Sequence, residues 1–171
     1  QILADYLGND LSKIANELDK LALSQGRGVK ISLEVIQDQI GISKEFNVFE
    51  LQKALGEKNK AKSFLIGKYF ADNPKENPIQ VTVINLFGYF QKALIAAQYQ
   101  SEGDAVLQKK LGLTTSYYVK DYRAVARNYP VSKIRSILMR IRTTDVESKG
   151  VNNKSKDDGQ LLTELIYFIL N

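Results

Sequence analysis

Apolar residues recur along this chain every three and four positions, which is the period of a helix with one buried face. Leu11, Ile14, Ala15, Leu18, Leu21 and Ala22 form the first such stripe. Asn9 or Asp10 can cap it, and Gly26 and Gly28 stop it. Ser32 can cap a short helix carrying Leu33, Ile36 and Ile40, with Gly41 suited to the left-handed position after its end. The polar stretch GISKEFN, residues 41–47, follows. Asn47 and Glu50 are spaced like a capping box with Asn in place of Ser or Thr, and a domain junction is expected here.

Helices are next expected over about 48–55 and 57–72. The second is basic on one side (Lys58, Lys62, Lys68) and apolar on another (Ala61, Phe64, Leu65, Tyr69). Asn73-Pro74 and Asn77-Pro78 bracket a connection, because proline keeps the residue before it out of the helical conformation. From Pro78 to about Gln100 runs the most apolar segment. Val83, Leu86, Phe87, Phe90, Leu94 and Ala97 share a face, and Ile84, Tyr89 and Ile95 make other faces apolar. A helix apolar on most sides belongs at the centre of a bundle. Its start, IQVTVI, also fits a strand, but no second strand candidate exists to pair with it.

Three more helices are expected. Residues 116–128 align Tyr118, Tyr122, Val125 and Ala126. Pro130 suits the first turn of a helix bearing Ile134, Ile137, Leu138 and Ile141. The loop VESKGVNNKSKDDG then leads to a last helix with Leu161, Leu162, Leu165, Ile166 and Ile169. The fold class is therefore all-α, a helical bundle.

Composition narrows the chemistry. There is no cysteine and no histidine among the 171 residues. Disulfides, thiolate metal sites, Ser-His-Asp triads and zinc sites of the usual kinds are excluded. Gly67-Lys68 lacks the earlier glycine and following hydroxyl of a phosphate-binding loop. Gly26-Arg27-Gly28 could approach a phosphate but reads better as a turn, and Asn153-Lys154-Ser155 reads as an incidental glycosylation pattern. Asp157 and Asp158 suit a helix start, where the helix dipole favours acids. Nothing places them, or Asp72 and Glu76, in an apolar pocket that would tune a carboxylate for catalysis. No cofactor or metal is expected. No apolar run approaches the ~18–20 residues that span a bilayer, and QILADYLGND has no signal-peptide pattern. The chain begins at Gln1, on what reads as the end of a helix, so a longer parent protein is expected.

The net charge of +5 is unevenly spread. Residues 105–142 hold nine Lys/Arg against one acid, Asp121. Lys120, Arg123 and Arg127 fall at i, i+3 and i+7, with Tyr117 before them on the same side and Lys109 and Lys110 nearby. Cations that neutralise phosphates beside a tyrosine that can stack make a nucleic-acid pattern. A solvated surface is the alternative. Lys133/Arg140 and Arg135/Arg142 flank an apolar stripe and read as cations whose stems cover buried surface. Phe46, Phe49, Phe70, Tyr89, Tyr99, Tyr129 and Tyr167 lie off the main stripes and are expected to exceed what a small bundle buries, which marks a partner surface or a missing domain.

Several segments resemble the bacterial DNA polymerase III delta subunit of the clamp loader. LGNDLSKIANELDKL (7–21) is similar to the closing helix of its AAA+ lid, and FNVFELQKALGEKNKAK (46–62) to the start of its collar domain. NPIQVTVINLFGYFQKAL, YVKDYRAVARNY, DVESKG and LLTELIYFIL follow in the family's order. The resemblance implies a lid end over 1–44 and a helical collar over 45–171. It implies a non-catalytic scaffold in the bacterial cytoplasm, without a working ATP site, in which neighbouring subunits hydrolyse ATP. The implied partners are gamma/tau and delta-prime through the collar, the sliding clamp through an amino-terminal domain not included here, and primed DNA; no membrane is implied. A stand-alone basic helical nucleic-acid-binding protein is the alternative.

Overall fold

A computed structural model describes residues 11–26, 35, 46–153 and 155–171. The expected caps at Asn9 and Asp10, the helix after Ser32, and the features at Arg27, Gly28, Gly41 and Lys154 lie outside the described residues. The chain divides into two compact units, Gln1–Asn47 and Val48–Asn171. All regular structure among the described residues is helical.

In the first unit, α1 spans Leu11–Gln25 and ends at Gly26, whose φ is +80°. Leu21 of its stripe is buried, whereas Leu11 and Leu18 are exposed.

The second unit contains α2 (Val48–Gly56), α3 (Lys60–Asp72), α4 (Ile79–Gln98), α5 (Asp104–Leu111), a 3-10 turn (Ser116–Tyr118), α6 (Val119–Asn128), α7 (Val131–Ser148) and α8 (Asp158–Leu170). The helix expected from residue 57 begins at Lys60 instead. Lys58 breaks it by turning left-handed at φ +55°, and the Asn59 side chain then caps α3 by accepting from Lys62 N. The Lys58 ammonium lies 4.6 Å from the centre of the Tyr129 ring.

The long apolar segment is helical throughout, so the strand alternative is set aside. Contrary to the sequence expectation that no run approaches bilayer-spanning length, this 20-residue helix is long and apolar enough to cross a membrane by length and composition alone. Its place is the middle of the bundle: Val83, Leu86, Phe90 and Ala93 are buried, and α2, α6 and α7 pack on it. Ile134, Ile137 and Ile141 of α7 contribute to the same core. α8 lies against both α3 and α7 and buries Leu161, Leu165 and Ile169. Its start is a capping box in which Asp157 accepts from Gln160 N at 2.8 Å while the Gln160 side chain accepts from Asp157 N at 3.2 Å.

α3 and α8 approach closely because their contact uses small residues. A Cβ at Gly67 would lie 2.4 Å from Ile166 Cδ1, and one at Gly159 would lie 2.8 Å from Ala71 Cβ. Gly67 therefore serves packing, in line with its lack of a phosphate-loop context.

Three further expectations change. Pro130 is the N-cap of α7 rather than part of its first turn. α7 continues to Ser148, into the segment expected as loop, with Lys149 pairing to Asp145 at 2.7 Å across its end. Phe70, Tyr89 and Tyr129 are buried inside the bundle rather than left over for a partner.

Candidate functional site

The six residues singled out as a nucleic-acid surface stand on α5, the 3-10 turn and α6. A small core of its own holds this region to the far half of α4. Ala96 meets Leu107 and Leu111 of α5 and Val119 and Ala126 of α6, with Tyr99, Leu113 and Tyr122 partly buried around them. α5 is absent from the helices expected by sequence. Gly112 ends it in the left-handed conformation, φ +63°.

Arg123 is the most heavily engaged residue of the site. Its Nε donates to Asp104 Oδ1 at 2.9 Å and its Nη1 to the Gln100 carbonyl at 3.0 Å. Its Nη2 donates to the Glu102 carbonyl. The planar guanidinium thus clasps the α4–α5 connection and the start of α5, using the fork geometry that a lysine lacks.

The other cations face outward. Lys120 places its Nζ 4.1 Å from the centre of the Tyr117 ring. Tyr117 is 62% exposed and meets Tyr118 edge to face, with 5.3 Å between ring centroids. Lys110 lies over the Tyr99 ring at 3.9 Å. Lys109 and Arg127 are exposed and make no ion pair among the described residues. The structure therefore brings Tyr117 and Lys120 together, leaves Lys109 and Arg127 without an ion pair among the described residues, and turns Arg123 inward. This arrangement can attract an anion electrostatically; it contains no acid-base or nucleophilic pair. No group of three or more acids suited to a metal ion occurs among the described residues.

Behind this surface lies a set of tyrosines. The Tyr129 hydroxyl donates to the Leu55 carbonyl at 2.6 Å, and Asn128 Nδ2 donates to the Gly56 carbonyl at 2.8 Å. Burial raises the Tyr129 hydroxyl well above the ordinary tyrosine pKa. Tyr89 is raised further, first by burial and then by the neighbouring Tyr122 and Asp121. These rings are structural.

Lys133 and Arg140 face α8. Lys133 donates to the Phe168 carbonyl at 2.6 Å, and Arg140 pairs with Glu164 at 3.2 Å and Glu147 at 3.5 Å. Arg135 and Arg142 are exposed. Between α3, α7 and α8 lies an open groove lined by Phe64, Arg140, Thr163, Glu164, Tyr167 and Phe168. Sequence reasoning found Tyr167 as surplus but not the groove. The available signal was the pair Tyr167-Phe168 beside the buried stripe of α8.

The fold defined by these elements is an all-helical bundle. Among solved structures the chain is similar to the Bacillus subtilis DNA clamp loader delta protein, at 24% identity and a TM-score of 0.62. The likeness covers 98% of this chain and 48% of that protein, so this chain spans about half its length. No protein-family model matches the sequence, and no curated protein matches it.

Proposed function

We propose that this chain is the carboxy-terminal part of a bacterial clamp-loader delta subunit, acting as a non-catalytic assembly module. Residues 1–44 would end the AAA+ lid, and 45–171 would form the collar that joins the gamma/tau and delta-prime subunits. The sliding clamp would be met by a domain outside these residues. Primed DNA would run past the surface of Tyr117, Lys120, Arg127, Lys109 and Lys110, with Arg123 shaping that surface from within. The carrying observation is the likeness in fold to a clamp loader delta protein over nearly the whole chain. The colinear sequence pieces support it independently.

The test is a pull-down of separately purified gamma/tau and delta-prime collars by this chain. Stoichiometric capture of at least one is expected. Failure to bind any of them overturns the assembly reading.

A further inference from the structure

α8 buries Leu161, Leu162, Leu165, Ile166 and Ile169, which leaves Thr163, Glu164, Tyr167 and Phe168 on its outer side. A helix whose outer side were merely solvated would carry polar residues there. Here Tyr167 is 62% exposed and Phe168 36%. Phe64 of α3 and Arg140 of α7 complete the groove on either side. Phe168 is fixed in place: Lys133 donates to its carbonyl and sets its ammonium 4.2 Å from the ring centre. The floor is therefore aromatic and partly preorganised, which reduces the ordering cost of binding.

The rims are basic. On α3, Lys60 and Lys68 stand four residues to either side of Phe64, on its face of the helix, and both are exposed. Glu164 is the one acid lining the groove among the described residues. It is already matched by Arg140 at 3.2 Å and Lys156 at 2.6 Å. The groove thus presents an apolar strip whose α3 rim carries two lysines with no acidic partner among the described residues, Lys60 donating only to the neutral Asn171 side chain at 2.9 Å.

We propose that this groove docks an amphipathic helix of a partner protein, one that carries acidic residues along the borders of its apolar stripe. An apolar stripe would lie on Tyr167, Phe168 and Phe64, and its flanking carboxylates would meet Lys60, Lys68 and Lys133. Opposite potentials across the rims would orient the helix and speed encounter. A second copy of this chain is disfavoured, because a two-fold contact would set like charges against each other. The inference does not depend on the clamp-loader reading, since it rests only on the shape and charge of this face.

The experiment uses the full chain and a fluorescein-labelled designed peptide of about 18 residues, long enough for five helical turns. Its apolar face carries Leu and Phe, and its borders carry Glu. A second peptide replaces every Glu by Lys, and a third is interrupted by proline. Saturable anisotropy with the Glu peptide is expected, with affinity lower by about tenfold or more for each of the other two. Tyr167→Ala and the pair Lys60→Glu/Lys68→Glu should each weaken Glu-peptide binding by a similar factor while leaving the thermal melt unchanged. Equal affinity for all three peptides, or no loss in the Tyr167→Ala chain, overturns the proposal. So does self-association, or binding to anionic vesicles, that Tyr167→Ala abolishes in place of peptide binding.

Discussion

The Tyr129 hydroxyl reaches the carbonyl of Leu55 at 2.6 Å across 74 residues of sequence. The last carbonyls of a helix have no partner within it. Here the end of α2 is completed from α6: Tyr129 serves Leu55, and Asn128 serves Gly56. Tyr129→Phe should therefore lower unfolding free energy by about 1 kcal/mol, the usual net contribution of one hydrogen bond. The loss is modest because Lys58 N still donates to the Leu55 carbonyl at 3.1 Å. Urea unfolding of the variant measures it, and an unchanged midpoint would remove this bond from the account.

Alkaline stability should fall in a defined way. Tyr89 and Tyr129 hold their protons more tightly folded than unfolded, because burial disfavours the phenolate. Their contribution is complete below the ordinary tyrosine pKa of 10.0 and is lost as pH climbs past it toward the raised folded values. Each should remove about 1.4 kcal/mol per pH unit in that window. Chemical denaturation between about pH 9 and pH 11 reads the slope. The double variant Tyr89→Phe/Tyr129→Phe should flatten it; the same slope in both proteins would contradict the assignment.

Gly56 has no room for a methyl group. A Cβ there would lie 2.3 Å from Tyr89 Oη and 2.9 Å from Val125 Cγ2. Gly56→Ala should cost about 1–3 kcal/mol, as overpacking does. Adding Tyr89→Phe removes the nearest clashing atom, so the double variant should recover part of that loss. Strict additivity in the double-mutant cycle would show that the two positions do not meet.

The basic surface should separate into two behaviours. Arg123→Ala should lower stability by about 0.5–1.5 kcal/mol, since its three bonds are solvent-exposed, and Arg123→Lys should restore little of it. Lys120→Ala and Arg127→Ala should leave the melt unchanged. If the surface meets DNA, each should reduce the salt slope of binding by about one. Filter binding across a salt series decides this, and an unaltered slope in both variants would take DNA off this face.

Much of the bundle was legible because its helices bury one stripe each. Leu161, Leu165 and Ile169 announced α8, and Asp157 its start. α5 escaped because it is only 8 residues long, buries only Leu107 and Leu111, and has no side-chain cap. Gly112 was the readable mark of its end. Phe70, Tyr89 and Tyr129 were misjudged for a different reason. Their rings leave the local stripe to fill gaps between helices, as when the Tyr129 ring packs edge-on against Phe90 at 6.0 Å. Helical spacing aligned Lys120, Arg123 and Arg127 correctly, but it could not show that Arg123 turns back toward residues 100–104. That contact spans 19 to 23 positions and belongs to tertiary structure.

α5 and the 3-10 turn rest on a satellite core with the far half of α4, and neither packs substantially on α7 or α8. A segment held by a handful of apolar side chains and one guanidinium is expected to open locally more readily than the main core. Its amide protons would trade with solvent long before those of α7, and a ligand gripping both α5 and α6 would quiet that breathing without touching the rest of the molecule.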